Sequence, residues 1–281
     1  MKKVLLIIRD GWGDGKDYKG RFVVKVDHAL KTIKSAGLKT DLKQELIILP
    51  RETILPFFEE KWRMSEIKGL KRVYYRTNPG AKFFIAQLKY KKAINVLDLG
   101  CGDGRFTIKY AQQGIKTLGI DFSKYAIKRL LNRAKELKLA HLVKGKVADI
   151  IKIDYGIERF DGISCCNTLH YFKGKQLKNI VENIKKATKK RGINYLALET
   201  DIDMELPDGR KFLFEGQLYV SSREIEKIIK SLYSGWKIVK VFKTHNSIKA
   251  TLPENIQKLL GTSSQFYKRS FSVVDIIAKR Q

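Results

Sequence analysis

From about residue 94 onward, short apolar runs alternate with segments whose apolar residues recur every three or four positions. The runs predict strands at 94–99, 116–121, 141–150, 160–166, 192–200, 236–242 and 272–280. The helical spacing predicts helices over 105–114, 123–139, 174–190 and 221–233. Strands that alternate with helices are typical of a doubly wound α/β fold with a mostly parallel sheet. No clear helix separates the last two runs, which predicts a hairpin-like antiparallel edge.

The first 70 residues lack this regularity. Residues 3–8 are typical of a buried strand and 26–33 of a helix, and two apolar segments follow around Pro50 and Pro56. We predict a small α/β or irregular module of unknown role over 1–70 and a regular domain over 71–281. The turn-forming stretch RTNPG, 76–80, is the best candidate for a linker.

A glycine-rich loop joins the first strand and the first helix of the regular domain, in the stretch NVLDLGCGDGRF. Its G-x-G-x-G spacing is one residue shorter than the dinucleotide fingerprint. It also carries two aspartates, which would repel a pyrophosphate by about 1 kcal/mol or more per close pair. A ligand with ammonium and sulfonium groups, such as S-adenosylmethionine, would be attracted instead. The predicted cofactor contacts here are Asp98, Gly100, Cys101, Gly102, Asp103 and Gly104.

Acidic residues also end the next two predicted strands. Asp121 lies about 20 residues beyond the loop, where an acid that binds ribose hydroxyls is expected. Asp149 could accept a hydrogen bond from an adenine amino group, and Phe122 and Ile150 could cover the faces of the ring. Each acid alone could be a turn or capping residue. Their recurrence at successive strand ends favours one shared site.

These segments resemble the class I S-adenosylmethionine-dependent methyltransferases over about residues 70–281. VLDLGCGDGR matches the first family motif, GIDFS the second, KVADI the third and FDGISCCNTLHYF the fourth. The resemblance implies S-adenosylmethionine as cofactor and a seven-stranded Rossmann-like methyltransferase sheet with an antiparallel edge strand. KKRGINYLALETD, KFLFEGQLY and FSVVDIIAKR are similar to segments of the tellurite-resistance methyltransferases, which implies a small-molecule acceptor. CCNTLHYF and residues 243–270 depart from that type, where the acceptor would be chosen.

The acceptor pocket is expected at the end of the fourth strand, near Asn167, His170 and Tyr171. Methyl transfer by in-line displacement depends mainly on alignment and exclusion of water. His170 could act as a base toward a protic acceptor, since histidine titrates near neutrality. Alternatively, it lines the pocket or caps the next helix. Asn167 is also a candidate cofactor contact, and Tyr74 and Tyr75 could close over the cofactor or pack in the core.

The N-terminus carries a second resemblance. VLLIIRDGWGDGKDYKG is similar to the start of the cofactor-independent phosphoglycerate mutases, which implies metal binding by Asp10. The match covers only about 20 residues, and the later serine and histidine segments of that family are not evident. The four histidines lack ligand spacing, so we predict no metal site.

Charge and cysteine content indicate which partners and which cellular compartment to expect. The chain has 57 Lys and Arg against 29 Asp and Glu, a net charge of +28. Two interpretations of this charge remain open. Either the lysines are simply solvated and spread along the chain, or the positive charge attracts a nucleic acid or an acidic protein. The alternative function is therefore an RNA or protein methyltransferase that docks its substrate on a basic surface. Three cysteines, two of them adjacent, favour a reducing cytoplasm, and no apolar stretch approaches the roughly 20 residues of a membrane span.

Overall fold

The computed structural model describes residues 22–24, 46–67, 78–215 and 217–281. Its strands are β1 Phe22–Val24, β2 Leu46–Leu49, β3 Asn95–Leu99, β4 Lys116–Asp121, β5 Val143–Val147, β6 Phe160–Cys166, β7 Thr188–Glu205, β8 Lys211–Phe214, β9 Lys237–Thr251 and β10 Phe266–Lys279. Its α-helices are α1 Ile54–Ile67, α2 Pro79–Tyr90, α3 Thr107–Ala111, α4 Lys124–Glu136, α5 Gly174–Ala187, α6 Ser222–Leu232 and α7 Glu254–Leu260. Short 3-10 turns span Arg51–Thr53 and Leu169–Tyr171.

Several predictions fall outside the described residues. These are the strand at 3–8, the helix at 26–33, the segment with Asp10, and Tyr74 and Tyr75. The linker prediction is wrong from residue 78 onward. The Asn78 side chain accepts the Ala81 N–H at 2.9 Å, so it caps α2, and Pro79 occupies the first helical turn.

The chain divides into two compact units, and their boundaries fall inside α1, inside the three long strands and just after β8. The larger unit comprises 58–202, 216–247 and 270–281. Its strands lie in the order β5-β4-β3-β6-β7, with adjacent strands parallel, followed by β10 and then β9. Strand order reverses between β3 and β6, so the carboxyl ends of these two strands flank the crevice where ligands bind in such sheets.

Strand β10 runs antiparallel to β7, with which it pairs. The Arg280 N–H donates to the Gly192 carbonyl at 3.0 Å, and the Tyr195 hydroxyl donates to Asp275 at 2.8 Å, so residue numbers rise on one strand as they fall on the other. The mostly parallel sheet with an antiparallel strand is thus confirmed, and seven of its strands lie in the larger unit. β9, which pairs only with β10 among the described residues, is the outermost of the seven, so the antiparallel strand β10 is not the edge strand that was predicted.

Buried side chains of the central strands form the core of this unit. Leu97, Ile163 and Leu196 of β3, β6 and β7 pack with Ile180 of α5 and Ile225 of α6. Ser221 and Glu224 form a capping box that starts α6. Burial of these apolar faces fixes the strand ends that carry the polar residues described below.

The smaller unit comprises 203–215, 248–269 and the described part of 1–57. β1 pairs antiparallel with β2, β2 runs parallel to β8, and Lys211 of β8 pairs antiparallel with Glu205. The rings of Phe212 and Tyr267 pack edge to face at 5.1 Å. Helix α7 lies between β9 and β10, so the prediction that no helix separates the last two strands is wrong. No helix in the described part of the chain is long and apolar enough to cross a membrane.

Candidate active site

The glycine loop follows β3 at the carboxyl edge of the larger unit's sheet. Asp98 lies within β3, and both of its oxygens accept hydroxyl groups at 2.7 Å, one from Ser164 and the other from Thr107. These bonds tie β3 to β6 and to the start of α3. Asp98 therefore fixes the strand and helix ends on either side of the loop and contributes its charge to the site.

Asp121, at the end of β4, holds the loop from the other side. Its Oδ2 accepts the Gly102 N–H at 2.8 Å, and its Oδ1 accepts the Ser123 N–H at 3.0 Å. Each carboxylate oxygen has a second lone pair, so Asp121 retains the capacity to accept from a vicinal diol. The structure thus brings Asp121 to the glycine loop, as predicted for a ribose-binding acid.

Three aspartates of the site are almost fully buried. Asp98, Asp103 and Asp121 expose 1%, 3% and 5% of their surface. Burial raises the pKa of Asp98 to about 6, against the opposing effect of the two hydroxyl bonds, and the charge of Asp121 raises it further. Burial likewise raises the pKa of Asp121, again with nearby acids adding to the effect. Concentrated negative charge with low solvent access favours a cationic ligand.

Glycine is required at two points of this loop by close approach. A Cβ on Gly100 would overlap the Thr168 hydroxyl. Gly102 has a φ of +54°, and a Cβ there would lie 2.8 Å from Cζ2 of Trp62. The Gly104 N–H donates to the Cys101 carbonyl at 3.1 Å and closes the turn. The absence of a side chain at Gly102 therefore lets Trp62 approach the backbone of the loop.

The three cysteines are free and buried. Burial raises the pKa of the Cys101 thiol, and the neighbouring aspartates raise it further. Burial also raises the pKa values of the Cys165 and Cys166 thiols. These thiols are protonated at neutral pH, which makes them packing groups and not nucleophiles.

The residues predicted to hold an adenine lie beside the β4 end. The Ala148 N–H donates to the Asp121 carbonyl at 2.9 Å and brings the turn after β5 to this edge. Asp149 and Phe122 are half-buried, and Asp149 Oδ1 accepts the Ile151 N–H at 2.9 Å. Ile150 is buried in the core, with its carbonyl bonded to the Tyr155 hydroxyl at 2.6 Å. Asp149 and Phe122 thus remain accessible, while Ile150 faces the core.

The predicted acceptor residues follow β6. Asn167 is exposed with a φ of +53°, in a left-handed conformation that asparagine tolerates, and its N–H donates to the Ala197 carbonyl at 2.8 Å. His170 is buried, and its ring lies 4.2 Å from that of Tyr171, centroid to centroid. Asn167 and Tyr171 are accessible where β6 ends.

Glu199 of β7 lies beside both ring nitrogens of His170, and the sequence did not suggest it. His170 Nδ1 accepts the Glu199 N–H at 3.4 Å, and His170 Nε2 lies 3.4 Å from a Glu199 carboxylate oxygen. This arrangement favours the tautomer with the proton on Nε2. The imidazole is therefore held in place by one residue on the neighbouring strand.

Helix α1 contributes further residues that the sequence analysis missed. The Phe58 ring packs edge to face on Tyr171 at 5.2 Å, and Trp62 lies against Gly102. The charge of Glu59 contributes to the raised pKa of Asp121 after the larger effect of burial. No motif marks α1, because these contacts join segments about 40 to 110 positions apart and such pairing leaves no local period.

Comparison with known proteins gives a family match over part of the chain and a similar fold. Residues 96–192, from β3 into β7, match the family model described as a methyltransferase domain. The chain is 34% identical over 99 residues to the uncharacterized methyltransferase sll0829 of Synechocystis, covering 35% of this chain and 43% of that protein. It is 29% identical over 119 residues to the ubiquinone biosynthesis O-methyltransferase of Coxiella burnetii, covering 42% and 50%. The chain thus spans about half the length of the curated relatives it matches.

Among solved structures, the chain is similar to TehB from Haemophilus influenzae. The TM-score is 0.50 with 18% identity, over 79% of this chain and 67% of that one. At this identity the similarity shows the shared fold alone. The match to the family model covers β3 to β6 and the start of β7, including the glycine loop.

Proposed function

We propose that the protein is an S-adenosylmethionine-dependent methyltransferase. The observation that carries the proposal is the buried acidic setting of the glycine loop, in which Asp121 holds the Gly102 N–H while Asp98 and Asp103 add negative charge. The donor has a sulfonium and an ammonium but no phosphate, and this set of groups fits it. The methyltransferase-domain match to 96–192 supports the same chemistry.

Each part of the donor has a partner in this arrangement. The acidic surroundings of the glycine loop attract the charged methionine part, Asp121 accepts from the ribose diol, and Asp149 accepts from the adenine amino group. Phe122 is the accessible apolar group beside the ring. When bound, the cofactor supplies a methyl group on positively charged sulfur, and the carbon–sulfur bond breaks as the acceptor's lone pair forms the new bond.

The chain's own residues would align the acceptor at the end of β6. We propose that Asn167 and Tyr171 contact it and that His170 lines this side, because His170 is buried and its Nδ1 accepts the Glu199 N–H. His170 then keeps Tyr171 in position through their ring contact. Alignment and exclusion of water can supply roughly 7–11 kcal/mol of the barrier reduction for such a displacement.

A small molecule is the acceptor class that we favour. The Coxiella relative is named as an O-methyltransferase of ubiquinone biosynthesis, which supports a small acceptor with a hydroxyl group. A tellurite-type acceptor rests only on the segment resemblances described above. Docking of RNA or protein is the alternative, and the net charge of +28 is the observation behind it.

Binding and turnover test the proposal separately. Calorimetry should detect S-adenosylmethionine binding, and Asp121→Ala should weaken it about 10- to 100-fold, since hydrogen bonds to a charged group contribute about 1.5–3 kcal/mol. Glu182→Ala, at an exposed acid on α5, is the matched control and should bind normally. A labelled-methyl assay against metabolite, RNA and protein pools then identifies the acceptor class. A wild-type protein that binds no S-adenosylmethionine would refute the proposal.

A further inference from the structure

One face of helix α1 covers the glycine loop within the larger unit. Phe58, Glu59 and Trp62 share this face, because residues three and four apart are neighbours on a helix. Trp62 lies against Gly102 of the loop. Phe58 contacts Tyr171 on the acceptor side. The face therefore spans from the predicted donor loop to the predicted acceptor residues.

Glu59 has an unusual environment for a helix carboxylate. Its Oε2 is buried and has no hydrogen-bond partner among the described residues. The next residue, Glu60, is instead paired with Arg63 through two bonds of 2.6 and 2.7 Å. Buried polar atoms normally have partners, so an unsatisfied one beside a ligand site indicates a group that the ligand satisfies.

Resting on the proposed function, we infer that Glu59 and Trp62 recognise the positive charge of the methyl donor and so favour it over its neutral thioether product. An indole face attracts a cation that lies within about 6 Å of it. A carboxylate whose buried oxygen has no hydrogen-bond partner in the described part of the chain adds a second attraction for the same charge. Neither interaction is available to the thioether sulfur, which carries no charge after the methyl group has left.

The inference concerns selectivity, so the test compares two ligands on one protein. Dissociation constants for S-adenosylmethionine and S-adenosylhomocysteine are measured by calorimetry on the full chain and on Glu59→Gln, Trp62→Leu and Trp62→Phe. Glu60→Gln is the matched control, because it removes the neighbouring carboxylate on the same helix turn. Thermal melts of each variant establish that it is folded.

Glu59→Gln and Trp62→Leu should each weaken binding of the charged donor roughly 5- to 30-fold, the effect of one to two kcal/mol, and leave the thioether affinity within about 2-fold. Trp62→Phe should retain part of the selectivity because it keeps an aromatic face. Equal loss of both ligands, or no loss of either, in folded Glu59→Gln overturns the inference and leaves the proposed function standing. A wild-type chain that binds neither ligand overturns both.

Discussion

Replacing Gly102 by alanine should destabilise the protein by more than its backbone conformation alone accounts for. The residue has a φ of +54°, where a Cβ costs about 1–2 kcal/mol. The same Cβ would lie 2.8 Å from Cζ2 and 3.2 Å from Cη2 of Trp62. Forcing such overlap in a packed site costs typically about 1–3 kcal/mol more, so we expect a total of about 2–5 kcal/mol.

Gly114 provides the matched control. It has a φ of +78°, and no heavy atom lies within 4 Å of the position that a Cβ would take. Gly114→Ala therefore carries the backbone cost without the overlap, and should destabilise by about 1–2 kcal/mol. The difference between the two variants isolates the contact between the loop and α1.

Urea unfolding followed by far-ultraviolet circular dichroism measures both variants, and a double-mutant cycle identifies the partner. In the Trp62→Ala background, Gly102→Ala should recover about 1–3 kcal/mol of its cost, the coupling typical of residues in contact. If Gly102→Ala and Gly114→Ala destabilise equally, or if the cycle shows no coupling, Trp62 does not cover the loop and the role assigned to α1 loses its basis.

Two further predictions concern buried carboxylates. Burial raises the pKa of Asp275 from 3.8 to about 6, so the stability that its protonated form contributes below pH 4 is lost as the pH rises through 6. Asp275→Asn should remove about 2 kcal/mol of the fall in unfolding free energy between pH 4 and pH 8, and an unchanged pH profile would contradict this. Thr107→Val removes one of the two hydroxyl groups bonded to Asp98. It should lower the free energy of unfolding by about 1–3 kcal/mol at pH 8 but by less at pH 4, where the Asp98 carboxyl is protonated. Urea unfolding at the two pH values measures both losses, and equal losses would count against an ionised Asp98.

Local pattern predicts the central sheet well. The runs at 116–121 and 160–166 coincide with β4 and β6, because buried parallel strands are continuous apolar segments bounded by loops. β9 extends nine residues past the predicted end at 242, through KTHNSIKAT, where exposure alternates along the strand. Polar residues there mask the apolar period, so only pairing with β10 defines the strand.

The site was predictable to the extent that it depends on strand ends. Asp98 and Asp121 were placed correctly at the glycine loop, because carboxyl ends of neighbouring parallel strands share an edge. The structural role of Asp98, which accepts hydrogen bonds from Ser164 and Thr107, was not predictable, because these bonds depend on side-chain directions. Glu199 and Trp62 were missed for a related reason, as each is recognised only through a partner distant in sequence.

The outer strand β9 has a consequence for how copies of this protein behave in concentrated solution. An unpaired strand edge offers a row of N–H and C=O groups on which another chain can template a β-ladder. Lys237, Lys240 and Lys243 are exposed along β9, and Lys243 is also bonded to Glu226. Like charges brought together edge to edge repel, so we expect these lysines to oppose edge-to-edge association of two copies through β9. The positive charge of these β9 lysines can thus be explained without a partner molecule.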